Sequence, residues 1–256
     1  MNSEFANRMR TSISYLSDFC AGRLKQRTLL WVLIPLIGLS YFGSLTLAIW
    51  LFPGPFDWRT RAMSKLLYPR NNPRYHAIGA AGVAVAGAAM IPFAGYIRNR
   101  IRAGSPVVAS IGSLIFGAGA VSLILGGLIV AQPYHDFFAR GAGICAGLGM
   151  AVFYLCALRG LAVRANESDY LRRTLLMWNL TVPPALLIVV LRLLAAVHLR
   201  WPNPVYRSIE NRALWHLGFW EWIGSAAAFM FLLGAALCLP NDNAISGSLM
   251  PRGQRP

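Results

Sequence analysis

Residues 76–131 read HAIGAAGVAVAGAAMIPFAGYIRNRIRAGSPVVASIGSLIFGAGAVSLILGGLIVA. Two apolar runs, His76–Ile97 and Pro106–Ala131, flank a short loop that carries Arg98, Arg100 and Arg102. A helix needs about 20 mostly apolar residues to cross the hydrocarbon core of a bilayer, and each run supplies that length. Lipid offers the backbone no hydrogen-bond partner, so such a run closes its own bonds as a helix. The alternation of a barrel strand is absent. The stretch reads as two membrane-crossing helices joined by a basic turn.

Working outward, four more blocks repeat the pattern at Leu29–Phe52, Ala139–Leu158, Thr174–Val197 and Trp215–Leu239. Together they predict an all-α polytopic membrane protein, a six-helix transmembrane bundle over residues 29–240. The first block starts too late, runs too long and lacks a small-residue cleavage site, so a retained span is expected rather than a signal peptide. Composition agrees. Of 256 residues, 56% are hydrophobic and 13% are charged, about half the charged share of a soluble domain. Mean hydropathy is +0.50. An ordinary cytosolic enzyme and a disordered chain are excluded. So is a nucleic-acid partner, because the basic residues sit between apolar blocks. The net charge of +15 suits loops held against anionic headgroups.

Lys and Arg also orient the chain. Fourteen of the 24 fall on the side of the termini: the N-terminal tail, the 98–105 and 159–173 loops, and the C-terminal tail. Nine fall on the other side, and Arg192 lies inside a block. Both termini are therefore expected in the cytoplasm, with the protein integral to the plasma or inner membrane. In residues 1–28, the helical spacing of Ile13, Leu16, Phe19, Cys20 and Leu24 suits a helix lying on the membrane surface, with a frayed tail as the alternative. Residues 241–256, rich in Gly, Pro, Asn and Ser, read as disordered.

Small residues recur every four positions at Ala139, Gly143, Gly147 and Ala151, and at Ala109, Ser113 and Gly117. Such faces let helix backbones approach closely in lipid. The expectation is an intramolecular core, with a homodimer face as the alternative. Pro183 and Pro184 should kink the fifth span, with Asn179 and Thr181 bonding the freed carbonyls. Cys20, Cys145, Cys156 and Cys238 form no CxxC pair and are expected to be free thiols.

All four histidines fall at the predicted outer ends of spans: His76, His135, His198 and His216. His135 and Asp136 are adjacent in the turn 132–138, where an imidazole beside a carboxylate can serve as a base. The plainer reading is an amphipathic surface residue. Glu221 and Arg192 sit about two turns into the sixth and fifth spans. Charge at that depth is paired or functional, which makes the two candidates for one another. Their pair is either a structural salt bridge or one wall of a headgroup cavity facing Glu221. Ser64, His216, Trp220 and Trp222 share the same side. The run WHLGFWEW at 215–222 is denser in aromatics than an interfacial belt requires and could line the mouth of a pocket. No metal motif, Walker motif, GxSxG elbow or dinucleotide fingerprint occurs, so neither metal nor cofactor is expected.

Three stretches taken together carry a resemblance. They are FDWRTRAMSKLLYPRNNPRYHAIG from residue 56, PYHDFFARG from residue 133, and FWEWIGSAAAFMFLLGAALCLP from residue 219. The pattern resembles the Frag/DRAM/Sfk family of six-span proteins and a related bacterial six-span family of unknown function. The resemblance covers most of residues 29–240. Ser64 matches the Ser of the family's Ser-Asp pair, with Lys65 where the family has Asp. His135 matches the His before the fourth span, and Glu221 and Trp222 match the Glu-Trp pair that opens the last. It implies six helices, a polar face on the lumenal or periplasmic side, and an association with membrane lipids rather than a defined reaction.

The expectation is an integral membrane protein that binds or remodels a lipid at its outer face. His135, Asp136 and Glu221 are the candidate reactive groups, and Ser64, Arg192, His216, Trp220 and Trp222 the candidate lipid contacts. An enzyme of this kind would perform acyl or headgroup transfer or hydrolysis with His135 as base. The alternatives are a non-enzymatic scaffold or accessory subunit of a membrane complex and, third, a small transporter. The transporter is disfavoured because mid-depth polar groups and broken inverted repeats are lacking.

Overall fold

The computed structural model describes residues 14–163, 169–200 and 217–240, with the side chains of 188, 191–200 and 217 excepted. Six long helices follow one another: α1 Gln26–Trp50, α2 His76–Ile101, α3 Pro106–Leu128, α4 Tyr134–Val163, α5 Asp169–Arg200 and α6 Leu217–Cys238. No strand occurs among the described residues. Five of the six, all but α5, are long and apolar enough over their described residues to cross a membrane. Their outer faces carry large apolar side chains, among them Trp31, Leu39, Leu114, Leu155 and Leu237. That is the reverse of a water-facing surface.

Local sequence sets the ends. Ser105 caps α3, its hydroxyl accepting from Val108 N–H at 3.4 Å, and Pro106 occupies the first helical position, where its missing N–H is harmless. Helix α4 begins at Tyr134, earlier than its apolar block, because Pro133 directly precedes it and Asp136 favours the positive helix start. His135 and Asp136 thus lie in the first helical turn, not in the turn between spans that the sequence predicted. In α1, two π-helical turns, Leu29–Leu33 and Leu39–Gly43, flank Pro35, which gives no N–H to the ladder. Helix α5 continues through Pro183 and Pro184. Thr181 Oγ1 donates to the Trp178 carbonyl at 3.2 Å and not to the Asn179 or Leu180 carbonyls that the two prolines free. Asn179 instead accepts from the Tyr154 hydroxyl of α4.

Each helix packs on the next in chain order, and α6 returns to α1, so the six form a closed ring. At the end holding residue 26, Gln26 Nε2 donates to the Ala236 carbonyl at 2.8 Å, and Tyr96 Oη and Arg100 Nε donate to the carbonyls of Leu239 and Pro240. Residues 14–20 are helical and this helix ends before Leu24; residues 1–13 lie outside the described ones. Behind this segment Gly22 has φ +67° and approaches Gly95 so closely that a Cβ on Gly22 would lie 2.0 Å from Tyr96 N. Asn99 Nδ2 donates to the Ala21 carbonyl at 3.1 Å. The lower half of the ring is filled by Phe93, Phe116, Phe153, Trp178 and Phe231, with Trp178 stacked on Phe231 at 4.2 Å.

The tight approaches fall partly on the predicted stripe, where a Cβ on Gly147 would lie 2.7 Å from Val189 Cγ2 and 3.2 Å from the Ala185 carbonyl oxygen of α5, and partly one face away. Helices α3 and α4 meet through Gly112, Phe116 and Gly119 against Ala142, Ala146, Gly149 and Phe153; a Cβ on Gly149 would lie 2.7 Å from that of Phe116. Gly143 and Gly117, by contrast, have nothing within 4 Å of a built Cβ. All four cysteines are free.

Candidate functional site

The upper half of the ring encloses a cavity of about 180 Å³ to which all six helices contribute. Most of its wall is apolar: Leu45, Val83, Leu123, Ala142, Ala228 and Leu232 are representative. The stripe Ala139, Gly143 and Gly147 forms its α4 wall. Gly143 stands clear of its neighbours there, whereas Gly147 also takes the close approach of Ala185 and Val189 from α5. From His135 at the top to Met150 at the floor, the wall follows α4 for about 22 Å at 1.5 Å per residue.

The polar groups gather at the top. The segment 57–67 folds over the opening and is tied to the start of α6. Phe219 N–H donates to the Arg59 carbonyl at 3.1 Å. A Cβ on Gly218 would lie 2.3 Å from the Arg61 carbonyl oxygen, so only glycine admits the segment this closely. Met63 N–H then donates to Glu221 Oε2 at 2.8 Å. Met63 starts the short 3₁₀ helix Met63–Leu66, whose first N–H groups lack internal partners. Glu221 thereby anchors the cover of the cavity while lining it. Ser64 and Leu67 line the cavity from the same segment.

His135 is 1% exposed. Its Nδ1 lies 2.7 Å from the Gly126 carbonyl oxygen near the end of α3. A carbonyl only accepts, so hydrogen-bond geometry assigns the proton to Nδ1, and in the neutral ring Nε2 carries the lone pair. That Nε2 is buried and has no hydrogen-bond partner among the described residues. A buried acceptor left so costs about 1–3 kcal/mol.

Asp136 does not orient His135. Successive helix residues point about 100° apart, and Asp136 accepts from the Tyr68 hydroxyl instead. Tyr68 is buried, and its ring meets His135 edge-on at 4.8 Å. Burial first, then the bond to Asp136, push the Tyr68 hydroxyl up to about 12. Tyr68 thus joins the two neighbours that the sequence had paired directly. Deeper in, Tyr41 and Ser225 share a hydrogen bond of 2.8 Å across the α1–α6 seam, and both line the cavity. Sequence reasoning missed this pair. Two hydroxyls inside otherwise apolar blocks were the available signal.

Of the predicted site residues, the structure brings Ser64, His135 and Glu221 to one cavity. Asp136 stands behind the wall on Tyr68. Trp222 packs on the satellite cluster of Leu45, Met63, Leu66 and Val83, its Nε1 buried and without a hydrogen-bond partner among the described residues. Trp220 packs edge-on against Phe219 at 5.3 Å. Neither Trp220 nor Trp222 is among the described lining residues. His216 and the side chains of Arg192 and His198 lie outside the described residues. His76 takes a structural place, its Nδ1 3.2 Å from the Asn72 carbonyl. No hydrogen bond joins His135 to Ser64 among the described residues, so no activated nucleophile is assembled there. Among the described residues no cluster of His, Cys, Asp or Glu could hold a metal ion. Comparison with protein-family models, with curated proteins and with solved structures finds no match for this chain.

Proposed function

We propose that this is an integral membrane protein of six spans, with both termini cytoplasmic, that binds a membrane lipid at its outer face. One observation carries the reading: a cavity walled by six helices, apolar along most of its length, with Ser64, His135 and Glu221 at one end and the mutually bonded Tyr41 and Ser225 hydroxyls deeper in. An amphiphile has that polarity profile, and a soluble polar substrate does not. The basic excess on the side of the termini supports the orientation. The length of α5 supports a sixth span, and the resemblance to the Frag/DRAM/Sfk family points the same way. Binding is favoured over remodelling because His135 is positioned by a carbonyl and, among the described residues, has no nucleophile bonded to it.

The test compares lipidomes of the source cell, a deletion strain, and the deletion complemented with wild type or His135→Ala. The reading expects a lipid species whose level changes on deletion and is restored by wild type alone. An unchanged lipidome together with no lipid retained on the purified wild-type protein overturns it and favours the scaffold reading, for which a stoichiometric partner in mild detergent is the observation to seek.

A further inference from the structure

We propose that helix 14–20 and the basic residues around it form a seat for anionic lipid headgroups, in the leaflet on the side of the termini. This does not depend on what the cavity holds; it requires only that the helices cross a bilayer. Three observations carry it.

The first is an apolar arc that the protein covers only in part. At about 100° per residue, Tyr15, Phe19 and Leu16 share one side of the helix. Ser14, Ser17 and Asp18 take the other. Phe19 packs against the core of the bundle. Tyr15 and Leu16, on the same arc, are 72% and 64% exposed. A helix divided in this way lies in the membrane interface with its apolar side toward the chains.

The second is depth. Ala21 and Gly22, just after the helix, press on α2: a Cβ on Gly95 would lie 2.3 Å from the Ala21 carbonyl oxygen. Asn99 Nδ2 donates to that same carbonyl at 3.1 Å. Helix α2 has 26 residues, so it is about 39 Å long against ~30 Å of hydrocarbon. Centred in the bilayer, each of its ends projects by about 4–5 Å. Gly95 stands about 9 Å before the end of α2 at Ile101. The contact thus falls close to the boundary between headgroups and chains, the level at which surface helices bury their apolar side.

The third is charge. Arg23, Lys25, Arg27 and Arg102 are exposed beside this segment, and Arg98 is half-exposed. Among the described residues of 14–105, the acid on this side is Asp18, 3.4 Å from Arg23. Lys25, Arg27 and Arg102 make no salt bridge among the described residues. Such an excess of cations at headgroup level is the complement of an anionic lipid surface. A zwitterionic headgroup brings a cation of its own and matches it less well. An acidic soluble protein would match the charge, but at this depth it would not cover Tyr15 and Leu16. An anionic lipid does both.

The experiment places the full chain in nanodiscs of phosphatidylcholine alone, and in nanodiscs where about a third of the lipid is phosphatidylglycerol. Amide hydrogen exchange of residues 14–22 is read by mass spectrometry. Exchange should be about tenfold slower with phosphatidylglycerol present. Salt at about 1 M, where charges are screened within ~3 Å, should remove the difference. The triple variant Lys25→Gln, Arg27→Gln, Arg102→Gln should remove it at low salt. Leu16→Ser should speed exchange about tenfold in the phosphatidylglycerol discs, which the loss of a water-facing side chain would not do. If a variant fails to fold, wild type in the two compositions and in salt decides the matter. Equal exchange in the two compositions overturns the anionic partner, as does a difference that survives salt or the triple variant. An unchanged rate in Leu16→Ser overturns the seating of the helix in lipid. None of these outcomes bears on the cavity.

Discussion

Tyr68 is the residue on which the polar end of the cavity turns, because it holds Asp136 through its hydroxyl and His135 through its ring. Its hydroxyl, pushed up to about 12 from 10.0, stays protonated in the folded protein at pH values where the unfolded chain ionises. The folded state then binds the extra proton, so stability is complete below pH 10.0 and is lost as pH rises toward 12. Tyr68→Phe should lower stability by roughly 1–3 kcal/mol at neutral pH, the worth of a hydrogen bond to a charged partner. It should also flatten the alkaline fall; melting in detergent from pH 8 to 12 checks both, and an unchanged slope would deny the bond its role. His135 was legible in the sequence because a histidine between two apolar blocks is conspicuous. Tyr68 carries no such mark, since its partners come from a helix that starts 66 residues later. No local pattern records that meeting.

At the scale of elements, α4 shows two small-residue faces with opposite duties. One takes the backbone of α3 at Gly149; the other stands back from its neighbours at Gly143. Gly149→Ala should destabilise by about 1–3 kcal/mol through overpacking against Phe116. Gly143→Ala should be neutral or slightly stabilising, because alanine is the better helix former. Thermal unfolding of the two variants side by side measures the contrast, and equal losses would mean the faces do not differ. The covering segment 57–67 makes a second contrast. Glu221→Ala strands the Met63 N–H and should cost about 1–3 kcal/mol, with faster proteolysis near Arg59 and Arg61. Glu221→Gln keeps an acceptor and should lose less; limited digestion ranks the three proteins. Helix positions were readable from block length alone, since nothing but a helix suits such runs in lipid. Which small-residue face packs was not readable, because α4 offers several at equal spacing and only the neighbours choose. The start of α4 was placed too late for a related reason: polar Tyr134, His135 and Asp136 do not extend an apolar block, yet they extend the helix.

For the whole molecule the decisive quantity is topology. In intact cells an impermeant maleimide should label Trp58→Cys, which replaces an exposed tryptophan, and should spare Cys20 until the membrane is permeabilised. Labelling in the opposite order would invert the protein and place the cavity's polar end in the cytoplasm. Composition and charge sufficed to expect this arrangement, whereas the cavity itself was invisible to sequence, being a property of six helices at once. The ring has one seam that joins distant parts of the chain, where Phe42 meets Phe229 and Tyr41 meets Ser225. A ribosome delivers α1 first and α6 last. Every shorter nascent chain therefore lacks a wall, a floor residue in Leu232 and the anchor of the cover in Glu221. The chamber comes into being in one step at the end of synthesis, so a chain truncated before α6 would have no partial version of it to offer.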